Sequence, residues 1–146
     1  MSHEVDLVGA ALGLSVPDTV AVLETAALAP SVHNAQPWSF RATPDVVELY
    51  ADPTRRMPVA DPDDQELRLG CGAALFNLRL ALTARGVRPA VALFPDPARP
   101  DLVAEVRRAG TAHATPELTR LLDAVPRRHT NRRPFAEVPV SADILT

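Results

Sequence analysis

Two short segments of this chain concentrate the side chains that could do chemistry. The first runs from Pro30 to Trp38 and carries a hydroxyl, an imidazole and two carboxamides, at Ser31, His33, Asn34 and Gln36. Such donors and acceptors, together with loop N–H groups, could match the edge of a heteroaromatic ring. The alternative is a turn in which Ser31 and Asn34 cap backbone groups and Trp38 anchors the core. Composition alone favours the turn, because Ser and Asn are common turn formers.

The second segment is strongly basic and runs from Arg127 to Arg133 (RRHTNRR), shortly before a helix start predicted at Ser141. Guanidinium groups form bidentate, charge-assisted hydrogen bonds to phosphate oxygens, and the hydroxyl of Thr130 adds another donor. A phosphate monoester site is one interpretation and a solvated basic loop is another. A nucleic-acid surface is disfavoured, because no aromatic residues are interleaved and the net charge is −3.

Length and composition predict a soluble single domain. The 146 residues are 47% hydrophobic and 23% charged, which is enough for a packed core. There is no 18-residue apolar run and no basic N-terminal region, so we predict a cytoplasmic protein with no membrane partner. Cys71 is the only cysteine, which excludes an intrachain disulfide, and its apolar surroundings predict a core thiol rather than a nucleophile. We predict neither a metal site nor a catalytic acid or base.

Periodicity predicts the elements that must position these segments. A helix capped by Asp18 ends near Pro30, directly before the first polar segment. A hairpin follows, and then a long apolar run that begins within residues 61–64 and extends to Gly86. The order α-β-β-α-β-β-α predicts an α+β fold whose largely antiparallel sheet packs on the long, buried central helix. The predicted strands are Trp38–Thr43, Val46–Ala51, Arg88–Pro95 and Asp101–Arg108, and the last helix begins at Pro116.

The long helix is apolar around nearly its whole circumference, which predicts burial in a core or in a subunit interface. Gly70 and Gly72 weaken such a helix by about 1 kcal/mol each relative to alanine. The two glycines suggest that another backbone or a ligand approaches closely. An equally simple explanation is that they are neutral sequence changes that the helix tolerates.

An internal echo links the two ends of the chain. The segments Val16–Leu23 (VPDTVAVL) and Val138–Leu145 (VPVSADIL) both begin with Val-Pro, followed by a capping residue and an apolar helix start. The echo predicts one repeat in residues 1–125. Residues 126–146 would then form a phosphate-binding loop and the start of a second, incomplete repeat.

Three motifs together resemble the flavin nitroreductase superfamily. They are APSVHNAQPW at residues 29–38, DPTRRMP at residues 52–58 and GAALFNLRLALTARG at residues 72–86. The first is similar to the superfamily pattern Pro-Ser-x-x-Asn-x-Gln-Pro-Trp. The histidine within it and the second motif resemble the two-repeat Acg-type branch. The resemblance implies bound FMN, a nitroreductase-like fold, and a homodimer or pairing with a second repeat.

The resemblance also implies roles for individual residues. The loop against the isoalloxazine ring would comprise Pro30, Ser31, Val32, His33 and Asn34, with Gln36 as its brace. The FMN phosphate would be held by an element similar to the superfamily's Arg-[Arg/His]-Ser, namely Arg128, His129 and Thr130, together with Arg132 or Arg133. Arg55 and Arg56 could steer an anionic substrate or the nicotinamide phosphates. Their alternative is surface ion pairing with Asp61, Asp63 or Asp64.

The function that the resemblance implies is an FMN-dependent NAD(P)H oxidoreductase. It would reduce nitroaromatic or quinone-like acceptors by ping-pong hydride transfer. One alternative is a flavin storage or sequestration protein without turnover, and another is a non-catalytic half-domain used for dimerisation. No Arg-x-Ser element precedes the first helix, and the basic segment follows the strands instead. That order favours a flavin shared between repeats.

Overall fold

The helices and strands follow the predicted order in a computed structural model that describes residues 9–134 and 137–144. The strands form one antiparallel sheet in the order β1-β2-β4-β3. The predicted α+β class with a largely antiparallel sheet is therefore confirmed. The elements are α1 Val16–Ala27, β1 Trp38–Ala42, β2 Val47–Ala51, α2 Gln65–Ala84, β3 Val87–Leu93, β4 Leu102–Thr111 and α3 Pro116–Ala124.

The core lies between one face of the sheet and helix α2, which α1 also contacts. Side chains alternate along β2, so Val47 and Leu49 share one face and are fully buried in the core. Leu78 and Leu82 of α2 belong to the same apolar cluster. This packing fixes α2 against the strands that follow the first polar segment.

The opposite face of the sheet is charged. Glu48 of β2 lies directly opposite Glu105 of β4, an arrangement that would be repulsive by itself. Arg99 donates to both carboxylates, at 2.8 Å and 3.3 Å respectively. These bonds offset the repulsion between the two carboxylates, and the hydrogen bonds to Glu48 and Asp96 raise the pKa of Arg99 above its usual value.

The N-terminus of α2 is capped from outside the helix. The buried carboxylate of Asp61 accepts the N–H groups of Glu66 at 3.1 Å and Leu67 at 2.9 Å. Burial raises the pKa of Asp61, but these backbone donors and the charge of Arg68 outweigh burial, so the pKa lies below its usual value. Ionised Asp61 thus supplies the acceptors that the helix end lacks.

Three local predictions differ from the structure. Ser15, not Asp18, caps α1, because its Oγ accepts the N–H of Asp18 at 3.2 Å. Helix α2 is not buried all round, since Leu69 and Phe76 are 60% and 50% exposed. The helix predicted to start at Ser141 is a 3₁₀ turn over Ala142–Ile144, and the end of the echo at Leu145 lies outside the described residues.

Among the helices of the described ranges, none has the length and apolar character needed to span a bilayer.

Candidate functional site

The first polar segment forms the connection between α1 and β1, with a 3₁₀ turn at Val32–Asn34. His33, Asn34 and Gln36 have φ values of 51°, 56° and 50°. Non-glycine residues in this left-handed region cost about 1–2 kcal/mol each, so the surrounding structure must hold them there. We call residues 30–38 the α1–β1 loop.

Side chains of the loop hold its own backbone. The Oγ of Ser31 accepts the N–H of Gln36 at 2.8 Å, and the carbonyl of Ser31 accepts the N–H of Asn34 at 3.0 Å. The carboxamide of Gln36 donates to the carbonyl of Ala27 at the end of α1, at 3.4 Å. Ser31 therefore serves the turn, as the sequence alternative proposed, and Gln36 ties the loop to the preceding helix.

Helix α2 supports the loop from the core side. A Cβ atom on Gly70 would lie 3.4 Å from Trp38, 3.6 Å from Ser31 Cβ and 3.7 Å from the carbonyl of Pro30. Gly70 is therefore a site of close approach, whereas a Cβ on Gly72 would meet nothing within 4 Å. Within the described residues the loop approaches Gly70, and the approach of a ligand or another chain to Gly72 stays a prediction.

Cys71 lies beside Gly70 beneath the same loop. It is fully buried, its thiol lies 3.5 Å from the carbonyl of Pro37, and burial raises its pKa to about 11. A thiol with so high a pKa is protonated at neutral pH, and only the thiolate is a nucleophile. The prediction of a core thiol is confirmed.

The turn after β2 forms hydrogen bonds with the other side of the loop. Arg55 Nη1 donates to the carbonyl of Ala35 at 3.0 Å and to that of Gln36 at 3.1 Å. Its Nε pairs with Asp52 at 3.1 Å, and the N–H of Asp52 donates to the carbonyl of Pro37, also at 3.1 Å. The sequence predicted surface ion pairing as one alternative for Arg55, although with other aspartates.

Arg56 interacts with residues outside the α1–β1 loop. Its guanidinium pairs with Asp64 at 3.2 Å and with Asp101 at 3.8 Å. Asp64 is one of the partners that the sequence offered. Arg56 makes no hydrogen bond or ion pair with the α1–β1 loop within the described residues.

The most exposed polar side chains of the loop are those of His33 and Asn34. Both residues are exposed, and neither side chain bonds another described residue. Val32 is half-buried and Pro30 is exposed. One imidazole, one carboxamide and the apolar surface of two residues can therefore contact a ligand without breaking the bonds that shape the loop.

The basic segment is exposed from Pro126 to Pro134. Arg127 donates to the carbonyl of Asp123 at 2.9 Å, and His129 Nδ1 lies 3.3 Å from the carbonyl of Arg127. The guanidiniums of Arg128 and Arg132 and the hydroxyl of Thr130 have no partner among the described residues. No hydrogen bond or ion pair between described residues joins this segment to the α1–β1 loop, so the chain does not bond the two predicted clusters to each other.

An open groove runs along the exposed side of α2. The residues that line it are Asp63, Gln65, Arg68, Leu69, Gly72 and Ala73. Phe76 lies one heptad beyond Leu69, and both are at least half exposed. This side of α2 therefore exposes apolar side chains beside the charged and polar residues of the groove.

The sequence is similar to two proteins of Mycobacterium tuberculosis. It is 38% identical to "Putative NAD(P)H nitroreductase Rv3131" in an alignment 136 positions long that covers 90% of this chain and 39% of that protein. It is 35% identical to "Putative NAD(P)H nitroreductase acg" in an alignment 131 positions long that covers 85% of this chain and 40% of that protein. This chain is homologous to part of these two proteins, which are named as NAD(P)H nitroreductases.

A solved structure gives independent support for the fold. The nitroreductase family protein from Streptococcus pneumoniae TIGR4 superposes with a TM-score of 0.53 at 16% identity, covering 99% of this chain and 92% of the other. No protein-family model matches the sequence. The chain spans about two fifths of the length of the mycobacterial relatives. The predicted nitroreductase-like fold is confirmed.

Sequence reasoning missed two contributors to the α1–β1 loop. One is the pair Asp52–Arg55, which reaches carbonyls about 20 residues earlier in the chain. The sequence DPTR at residues 52–55 could have suggested this pair, because Asp-Pro commonly opens a turn and the arginine follows three residues after the aspartate. The other is Asp61, whose bonds to α2 fix the helix that supports the loop.

Proposed function

We propose that this chain is part of an FMN-dependent NAD(P)H oxidoreductase that reduces nitroaromatic or quinone-like acceptors by ping-pong hydride transfer. The observation that carries the proposal is the α1–β1 loop. Its backbone is held in an unfavourable conformation by bonds that leave His33 and Asn34 exposed. Strain of this kind persists at ligand sites, where the surroundings maintain it. The homology to proteins named as NAD(P)H nitroreductases supports a ligand with redox chemistry.

The residues present fit FMN by the chemistry of their donors. Arg128, Arg132 and Thr130 are exposed and unpartnered within the described residues, so their donors are free for a phosphate. Neutral donors and an apolar edge at Pro30, Val32 and Asn34 suit a heteroaromatic ring. The basic segment and the loop make no bond to each other, which supports a site assembled from two repeats or two subunits.

The roles of this chain's residues follow from these positions. Ser31 and Gln36 would keep the loop in shape, while Asn34 and loop N–H groups would hydrogen-bond the ring edge. His33 would lie beside the ring as a hydrogen-bonding residue. Arg128, His129, Thr130 and Arg132 would bind the phosphate, and Arg56 remains a candidate for steering an anionic substrate. When bound, FMN would supply hydride transfer between nicotinamide and the acceptor.

The exposed side of α2 supports pairing with a second subunit or a second repeat. Leu69 and Phe76 lie on one side of α2 and are at least half exposed, so a second helix packed there would bury both. Gly72 has no neighbour within 4 Å, so another helix could approach closely there. We propose that residues 1–125 form one repeat, that residues 126–146 begin the next, and that this surface joins repeats or subunits. A cytoplasmic location stays a prediction.

Turnover separates an enzyme from a flavin store. The chain is loaded with FMN under anaerobic conditions, NADH or NADPH is added, and the visible flavin absorbance is followed before a quinone or nitroaromatic acceptor is introduced. We expect the absorbance to fall with nicotinamide and to recover with the acceptor. Flavin that binds but is never reduced by either nicotinamide would instead support storage without turnover.

A further inference from the structure

Arg55 has most of its donors committed to the α1–β1 loop. One nitrogen, Nη1, bonds two successive carbonyl oxygens of the loop, those of Ala35 and Gln36, at 3.0 Å and 3.1 Å. Its Nε is held by Asp52 at 3.1 Å. The oxygens of Asp52 also accept the N–H of Thr54 at 3.0 Å and its hydroxyl at 2.6 Å. The guanidinium is therefore anchored at one end and bonded to the loop at the other.

These bonds act where the loop backbone is least favourable. Gln36 has a φ of 50°, and its carbonyl accepts from both Arg55 and the N–H of Trp38, the latter at 2.8 Å. Its own N–H is held by Ser31 at 2.8 Å. A non-glycine residue stays in this region only where several contacts hold it. Arg55 adds a contact to Gln36 from the turn after β2, besides the bond that the Gln36 carboxamide makes to Ala27 of α1.

We propose that Arg55 is a positioning residue, which fixes the α1–β1 loop in the conformation that receives the flavin. The proposal rests on the proposed function and replaces the sequence-based role of Arg55 as a substrate-steering cation. The guanidinium of Arg55 is already bonded to two loop carbonyls and one carboxylate, and it would have to break these bonds to bind a mobile anion. Arg55 contributes to flavin binding by preorganising the loop, because a loop that is already in its bound conformation loses less entropy when the flavin binds.

The first test needs no flavin. Amide hydrogen exchange of Gln36 is measured by NMR in the full chain for wild type, Arg55→Gln and Arg107→Gln. Arg107 is the matched control, since it too is a half-exposed arginine in one close ion pair, with Glu105 at 3.0 Å, and it does not touch the loop. We expect exchange at Gln36 to accelerate by about tenfold or more in Arg55→Gln and to stay at the wild-type rate in the control. An unchanged rate in Arg55→Gln would overturn the proposal.

The second test links the loop to the flavin. FMN dissociation constants are measured for the same variants and for Arg55→Lys. We expect Arg55→Gln to bind FMN about tenfold more weakly, Arg55→Lys to fall between it and wild type, and Arg107→Gln to match wild type. An unchanged FMN constant combined with a raised nicotinamide KM in Arg55→Gln would restore the substrate-steering role and overturn positioning. Absence of FMN binding by the wild type itself would refute the proposed function, whereas the exchange experiment would still decide whether Arg55 holds the loop.

Discussion

Gly70 and Gly72 lie two residues apart on α2, but only Gly70 faces the α1–β1 loop. A Cβ on Gly70 would sit 3.4 Å from Trp38 Cζ3 and 3.6 Å from Ser31 Cβ, which is ordinary contact. Gly70→Ala should therefore fit and should gain about 1 kcal/mol from helix propensity. Gly70→Val places two more methyl groups about one bond length closer to the same atoms. Overpacking of this kind costs about 1–3 kcal/mol, against a propensity gain of about 0.5 kcal/mol.

The expected net effect is thus opposite in sign for the two substitutions at Gly70. Gly70→Ala should raise the free energy of unfolding by up to about 1 kcal/mol, and Gly70→Val should lower it by about 1–2 kcal/mol. Gly72→Val is the matched control. Because nothing lies within 4 Å of that position, its free energy of unfolding should equal or slightly exceed that of wild type.

Urea unfolding followed by the fluorescence of Trp38, the only tryptophan, measures all three variants. Sedimentation velocity of each variant shows separately whether Gly72→Val alters association through the exposed side of α2. If Gly70→Val were as stable as Gly70→Ala, the loop would not be packed on α2 at this point. The support that we assign to Gly70 would then be wrong.

Three further predictions concern single groups. Because burial raises the pKa of Cys71 to about 11, the native thiol should not react with Ellman's reagent at pH 8, and one thiol per chain should react after unfolding; prompt native reaction would contradict its burial. The folded pKa of Asp61 lies below its unfolded value, so its stabilising contribution is present above about pH 4 and is lost as the pH falls through the folded pKa. The difference in unfolding free energy between wild type and Asp61→Asn should accordingly be full at pH 6 and vanish in acid, and a difference that does not vary with pH would refute this assignment. Arg128→Gln should weaken FMN binding by about tenfold while leaving riboflavin, which lacks the phosphate, unaffected, and an equal loss for both ligands would exclude a phosphate contact.

The elements of this fold could be predicted because they depend on local periodicity. Alternation from Trp38 to Ala42 indicates a strand with one buried face, and the structure has that strand to within a residue of the prediction. The long apolar run likewise predicts a helix that begins within residues 61–64 and extends to Gly86, and the structure has α2 at Gln65–Ala84. The exposed positions of Leu69 and Phe76 could not be predicted in the same way. The sequence shows that these residues are apolar, but it does not show whether they pack against the sheet or face away from it.

The details that shape the site depend on distant parts of the chain. Ser15 and Asp18 are both good capping residues, and only the backbone path decides that Ser15 takes the role. The bonds from Arg55 to the carbonyls of Ala35 and Gln36 have no local pattern, since a backbone carbonyl is present at every residue. The motif at residues 30–38 located the loop, while the contacts that hold it became visible only when β2 and α2 were placed beside it.

The central claim is that the α1–β1 loop and the basic segment together hold FMN, and direct titration tests it most simply. Flavin fluorescence is followed as FMN is added to the purified chain at concentrations where its association state has been measured. We predict saturable quenching with one FMN for each assembled site. Flavin fluorescence that remains that of the free ligand, at every protein concentration and in every association state, would contradict the account.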